Sequence, residues 1–169
     1  MQEVKQQLQL LSGYGVEFVI VGGVAAALHG CSIPTYDLDV CYARSAANLD
    51  RLAQAMIAVH ATLRGAPSGL PFTLDTDTLR RGLNFTFDTD IGPVDLLGEV
   101  LGVGGFVEAR ENAASYELFG HAYLVLALDK LISAKRAAGR KKDLNILPEL
   151  EAIQEHLRAE SAGNEKDDA

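Results

Sequence analysis

The sequence predicts one α/β domain, and three observations lead to that fold class. Apolar runs typical of buried strands alternate with amphipathic helical patterns from the start of the chain. The 169 residues, 48% of them hydrophobic, are enough to bury one core. No internal repeat and no linker-like segment divides the sequence. We therefore expect a single domain over residues 1–159 and a polar, charged and disordered tail over residues 160–169.

The first third of the chain predicts helices and strands in alternation. An N-terminal amphipathic helix ends at Gly13, which is placed as glycine is just beyond a helix end. Residues 16–21 predict an apolar strand with one acidic interruption, expected in the middle of a sheet, and residues 24–28 favour a short helix. A second strand is predicted over residues 36–42, after which Ser45 is placed to cap a third helix.

The rest of the chain predicts further strands and two closing helices. Residues 65–78 are rich in glycine and proline and form a candidate mobile connection. The strands and helices predicted after it cover residues 83–88, 94–97, 115–119, 122–126, 128–138 and 144–157. We expect the first two of these segments to pair as antiparallel strands.

Charge and hydropathy narrow the class of protein. The net charge of −8 argues against broad, non-specific binding of nucleic acid. The longest apolar run, residues 18–28, is too short to span a bilayer and contains two glycines. Met1 is not followed by the cationic start of a secretory signal. We expect a soluble cytoplasmic protein with no membrane partner.

Two aspartates stand on one face of the second predicted strand. The period of two puts Asp37 and Asp39 on one face and the apolar Leu38 and Val40 on the other. Two carboxylates ionised about 5 Å apart repel by roughly 3 kcal/mol at an effective dielectric near 20. A Mg²⁺ ion, a raised pKa or a basic side chain would relieve that repulsion, whereas a solvated strand face would need no partner. Asp95, in a later strand, also stands opposite apolar neighbours.

Gly22 and Gly23 directly follow the first predicted strand. One interpretation is a tight strand-to-helix turn that uses positive φ. The other is a phosphate site, because an anion can approach backbone N–H groups at a helix N-terminus where side chains are absent. The pair alone favours the turn.

These pieces together resemble the nucleotidyltransferase fold superfamily. A strand ending in Gly22 and Gly23, thirteen further residues, an Asp-Leu-Asp-Val motif at 37–40 and a later single aspartate, Asp95, occur in that order. The lysines, arginines and Lys-Asp pair of residues 131–144 also look like the end of such a domain. The chain is most similar to small bacterial members related to the minimal nucleotidyltransferases and to nucleotidyltransferase toxins of the abortive-infection type.

The resemblance implies a fold and a role for each motif. The fold would be a mixed, twisted β-sheet flanked by helices. Asp37 and Asp39 would be paired Mg²⁺ ligands, and Asp95 would help to hold the metal and to activate the attacking hydroxyl. Gly22 and Gly23 would cradle the nucleotide phosphates. An acceptor hydroxyl would attack the α-phosphate of a nucleoside triphosphate in line, and pyrophosphate would leave.

One position departs from the family pattern. Many relatives carry an arginine where this chain has Ile33, two residues before Thr35. The dense basic segment at residues 135–142 is the alternative source of a phosphate contact, and Lys135 is the first choice within it. A solvated helix end is the competing interpretation of that segment.

The leading functional hypothesis is a Mg²⁺-dependent nucleotidyltransferase that moves a nucleoside monophosphate to a hydroxyl of RNA, a protein or a small molecule. The alternative is a nucleotide-binding or regulatory module with weak catalysis, acting as one component of a toxin–antitoxin pair with a helical partner protein. The absence of the usual arginine at Ile33 and the short chain favour that alternative.

Overall fold

The computed structural model describes residues 2–67, 69 and 71–167, which form seven helices and nine strands. The helices are α1 (Gln2–Gly13), α2 (Gly22–Leu28), α3 (Ala46–Ala58), α4 (Thr76–Arg81), α5 (Phe106–Glu111), α6 (Leu128–Ala138) and α7 (Lys141–Asp167). The strands are β1 (Phe18–Val21), β2 (Leu38–Tyr42), β3 (Thr62–Leu63), β4 (Asn84–Asp88), β5 (Val94–Leu97), β6 (Glu99–Val100), β7 (Gly104–Gly105), β8 (Ala113–Leu118) and β9 (His121–Leu126). The predicted α/β class is confirmed.

Seven strands form one mixed sheet in the order β3-β4-β5-β2-β1-β9-β8. β2 lies between β1, to which it is antiparallel, and β5, to which it is parallel. β9 joins the other side of β1 in parallel, and β4 pairs antiparallel with β5 as expected. β6 and β7 pair separately. The mixed sheet that the resemblance implied is therefore present, with β1 and β2 in its interior.

The central strands β1 and β2 are buried along most of their length. All four residues of β1 are buried, as expected for a strand that is covered on both faces. In β2, Leu38, Val40 and Cys41 are buried, whereas Asp39 is only half-buried. Asp39 is thus a charged interruption in an otherwise apolar strand, and it marks the end of the sheet where the site lies.

The helix boundaries follow the local signals in the sequence. The Ser45 side chain accepts a hydrogen bond from the Asn48 N–H at 3.3 Å and caps α3. Gly139, with φ +63, ends α6 in the left-handed conformation that glycine adopts without strain. None of the helices in the part of the chain that the structure describes is long and apolar enough to cross a bilayer.

Two predicted features lie partly outside the described residues. α7 continues to Asp167, so residues 160–167, which we expected to be a disordered tail, are helical, and residues 168 and 169 are outside the description. The domain boundary at residue 160 stays a prediction. Ser68 and Leu70, within the connection expected to be mobile, are also outside it.

Candidate active site

The end of β1 meets the acidic strand. Val21 pairs with Asp39 in the β1–β2 register, and Gly22 begins α2 with φ +62. A Cβ on Gly22 would lie 2.0 Å from Asp39 Oδ2, and one on Gly23 would lie 2.4 Å from Thr35 Oγ1. Both glycines are therefore needed for close packing, and Gly22 also for its backbone conformation. They form the predicted turn.

The backbone of this turn is directed at a carboxylate. The Gly23 N–H donates a hydrogen bond to Asp39 Oδ2 at 3.3 Å. α2 has only seven residues, so the helix dipole contributes little positive potential at its N-terminus. In this arrangement the glycine pair holds Asp39 in place, and its expected role as a phosphate cradle stays a prediction.

The three predicted acidic residues come together at one end of β2 and β5. Asp39 lies opposite Asp95 in the parallel register, where neighbouring strands are about 4.8 Å apart. Asp37 is two residues before Asp39 and immediately precedes β2. The side chains of Asp37 and Asp95 are 35% and 18% exposed, so both can still be reached from solvent.

Burial and neighbouring negative charges raise the pKa values of Asp39 and Asp95. Burial, followed by the charges of Asp95 and Asp37, raises the pKa of Asp39 to about 6, although the Gly23 N–H and Lys135 act in the opposite direction. Burial also raises the pKa of Asp95, with Arg64 opposing the shift and Asp37 adding to it. Asp39 and Asp95 therefore hold their protons more tightly than isolated aspartates would.

Arg64, at the end of β3, is a site residue that the sequence did not reveal. Its Nε is 3.0 Å from Asp88 Oδ1 and its Nη2 is 3.1 Å from Asp95 Oδ1. Its Nη1 is 4.0 Å from Asp37 Oδ2, and Nη2 also donates to the Phe87 carbonyl oxygen at 2.9 Å. Of the three remedies for carboxylate repulsion, this structure contains two, a basic side chain and a raised pKa.

The donor chemistry of the cluster suits a hard divalent cation, because carboxylate oxygens are the ligands that Mg²⁺ prefers. Asp95 Oδ1 is buried and accepts no aligned hydrogen bond, despite the nearby Arg64 nitrogen. Within residues 2–67, 69 and 71–167, however, no three His, Cys, Asp or Glu side chains are grouped so that they could hold an ion. The carboxylate oxygens are present, and the Arg64 guanidinium lies beside those of Asp37 and Asp95.

A basic wall, formed by Lys135 of α6, Arg140 between the two helices and Lys142 of α7, faces the aspartates. Lys135 Nζ donates to Asp143 Oδ1 at 2.9 Å, and Arg140 Nε donates to Asp143 Oδ2 at 2.5 Å. Asp143 is fully buried; burial alone would raise its pKa, but the hydrogen bonds from Arg140 and Lys135 outweigh burial and hold the pKa below its ordinary value. Asp143 therefore orients both cations. Their charges, and that of Lys142, act on Asp39 or Asp95 across the gap.

The acidic strand and the basic wall enclose one cavity of about 570 Å³. Gly22, Gly23, Asp37 and Asp39 line it on one side, and Lys135 on the other, so five of the six predicted site residues border it. The sixth, Asp95, is not among the lining residues, although it lies next to Asp39 in the pairing of β2 with β5. The cavity also has apolar lining, contributed by Leu97, Val100, Leu101, Leu126, Leu131, Ala134, Ala138 and Ile146.

Comparisons with known proteins bear on the architecture around this cavity. No protein-family model matches the sequence, and no curated protein matches it. A proposed nucleotidyltransferase from Thermotoga maritima aligns with a TM-score of 0.50 at 15% identity, over 92% of this chain and 91% of that one. The antibiotic-resistance factor ANT(2″)-Ia aligns with a TM-score of 0.55 at 12% identity, over 98% of this chain and 94% of that one. This chain has the nucleotidyltransferase fold.

Within this nucleotidyltransferase fold, the loop between α2 and β2 is anchored by α7. Glu149 of α7 accepts hydrogen bonds from the Ser32 N–H at 2.7 Å and from the Cys31 thiol at 3.1 Å. This loop carries Ile33, which is 42% exposed and lines the cavity at the position where the resemblance led us to expect an arginine. Ile33 cannot bind a phosphate through a charge, so cationic contacts to the cavity come from α6 and α7.

Proposed function

We propose that the protein is a Mg²⁺-dependent nucleotidyltransferase. It would transfer a nucleoside monophosphate from a nucleoside triphosphate to a hydroxyl of RNA, a protein or a small molecule, releasing pyrophosphate. One observation carries the proposal: a single cavity has the aspartates of β2 on one wall and the cations of α6 and α7 on the other. A polyphosphate and its divalent counterion need this pairing of charges. The fold of the two structural neighbours supports the same class of reaction.

Asp37, Asp39 and Asp95 would hold the metal in this proposal. When bound, Mg²⁺ supplies positive charge that stabilises the entering and leaving oxygens. Lys135 would neutralise triphosphate oxygens, and it is held at the cavity wall by Asp143. Asp95, whose pKa is raised by burial, would also help to activate the acceptor hydroxyl.

Label transfer tests this proposal directly. The purified protein is incubated with α-labelled nucleoside triphosphates, Mg²⁺ and candidate acceptors, and we expect transfer that Asp37→Ala abolishes. Asp77→Ala is the matched control, because Asp77 is an exposed aspartate that pairs with Arg80 on α4. Chelating the metal should also stop transfer. Undiminished transfer by Asp37→Ala would show that the cluster is not the reacting site.

A weakly catalytic nucleotide-binding module, acting within a toxin–antitoxin pair, is a second candidate function. It is favoured because charged groups at the site are already paired within the protein. Arg64 contacts two of the aspartates, and Asp143 pairs with Lys135. Calorimetry separates the two candidates. Mg²⁺-dependent nucleotide binding with no turnover on any acceptor supports this module, and turnover rules it out.

A further inference from the structure

We propose that Arg64 is a built-in counterion which a divalent cation must displace from Asp37 and Asp95 before the acidic cluster can bind metal. This inference rests on the proposed function, because it concerns the metal site suggested there. It assigns a role to a residue outside every motif on which the resemblance was based. Metal binding then becomes an exchange of one cation for another.

Arg64 contacts residues outside the proposed metal site as well as two aspartates within it. Asp88 and the Phe87 carbonyl oxygen hold the guanidinium at 3.0 and 2.9 Å, and neither belongs to the proposed metal site. Nη2, which donates to Phe87, also lies 3.1 Å from Asp95, and the other terminal nitrogen lies 4.0 Å from Asp37. The planar fork of arginine can contact several carboxylates at once in this way.

Arg64 and a metal ion would compete for the same atom. Asp95 Oδ1 is buried, has Arg64 Nη2 as its neighbouring cation and accepts no aligned hydrogen bond. Mg²⁺ binds oxygen ligands about 2.1 Å away, so an ion on Asp95 Oδ1 and the Arg64 guanidinium, 3.1 Å from the same oxygen, would repel each other.

The position of Arg64 in the fold allows it to leave. It follows β3, a two-residue strand at the edge of the sheet, and precedes Gly65, which has φ +72 and open space around its Cβ position. The side chain is 31% exposed, so the guanidinium can turn towards solvent while Asp88 still holds it. Displacement thus requires movement of one side chain and no opening of the core.

Calorimetry with Mg²⁺ alone, in the absence of nucleotide, tests the exchange. Arg64→Gln should bind Mg²⁺ about tenfold more tightly than the wild type, the order expected when partly exposed ion pairs no longer have to be broken. Arg64→Lys, which keeps the charge but loses the fork, should lie between them. Arg80→Gln is the control: it makes the same change in net charge at an exposed pair on α4 and should leave the affinity unchanged.

Several outcomes would overturn the proposal. Weaker Mg²⁺ binding by a folded Arg64→Gln protein would show that Arg64 assists metal binding, and equal binding would show that it takes no part. Either result would leave the proposed metal site intact. Absence of Mg²⁺ binding in every variant would remove the metal site and the exchange together. The wild type gives an independent readout if Arg64→Gln does not fold: the Arg64 Nη–H resonances should shift on adding MgCl₂ but not on adding KCl of equal ionic strength. An unmoved resonance during Mg²⁺ binding contradicts displacement.

Discussion

Replacing Asp39 by asparagine should stabilise the metal-free protein. Burial and the charges of Asp95 and Asp37 raise the pKa of Asp39 from 3.8 to about 6. At about 1.4 kcal/mol for each pKa unit, the charged form costs the folded state about 3 kcal/mol. Asparagine has nearly the same shape, carries no charge, and its side-chain oxygen can still accept the Gly23 N–H.

The sign of the pH dependence follows from the raised pKa. The folded chain keeps the Asp39 proton to higher pH than the unfolded chain, so the free energy of unfolding of the wild type falls as the pH rises from about 4 to 6. The cost is complete above that window and absent below it. Asp39→Asn should therefore be more stable by about 3 kcal/mol at pH 7.5, and the advantage should disappear near pH 4.

Urea unfolding in EDTA, repeated between pH 4 and 8, measures this difference. A thermal melt should show Asp39→Asn some 5–10 °C above the wild type at pH 7.5, on the order expected for a domain of this size. Glu117→Gln, an exposed acid-to-amide change on β8, should show neither effect. The reasoning is refuted if Asp39→Asn is no more stable than the wild type at pH 7.5, or if its advantage persists undiminished at pH 4.

Two further predictions concern the walls of the cavity. Asp143→Asn should lower the free energy of unfolding by about 3 kcal/mol in urea, because it leaves Lys135, only 14% exposed, without its counter-charge; an unchanged midpoint would show that the pair contributes no stability. Gly22→Ala should lower the free energy of unfolding by about 2 kcal/mol or more, because its Cβ would lie 2.0 Å from Asp39 Oδ2 and the residue has φ +62. Gly13→Ala, with open space around its Cβ position, is the control, and equal losses in the two variants would contradict the assigned packing.

Local signals were enough to predict much of this fold. Helix formers followed by Gly139 predicted a helix over residues 128–138, and α6 has those bounds. The alternation around Asp95 likewise predicted the strand that became β5. Such signals depend on residues within one turn or one strand of each other, so they can be read from the sequence without knowing the tertiary structure. The period of two also predicted that Asp37 and Asp39 share one face of the strand, and both line the cavity.

The contacts that control the charges at the site were not predictable in the same way. Arg64 reaches Asp88, which is 24 residues away, through the pairing of β3 with β4, and a two-residue strand leaves no periodic pattern. Lys135 was predicted to contact phosphate, but its pairing with Asp143 depends on how α6 and α7 turn at Gly139. Both contacts depend on long-range geometry, whereas propensity describes only short-range preference.

The acidic cluster exists only in the assembled sheet. Asp39 and Asp95 meet through a parallel pairing of β2 with β5, which α3, β3, α4 and β4 separate along the chain, so the unfolded polypeptide keeps these charges apart. A divalent ion that binds the cluster is consequently a ligand of the native state alone. At a concentration one hundred times its Kd, such an ion would add about 2.7 kcal/mol to the free energy of unfolding. Midpoints of thermal melts at increasing MgCl₂ would report this linkage, and the folded fraction of the protein would follow its supply of divalent ions.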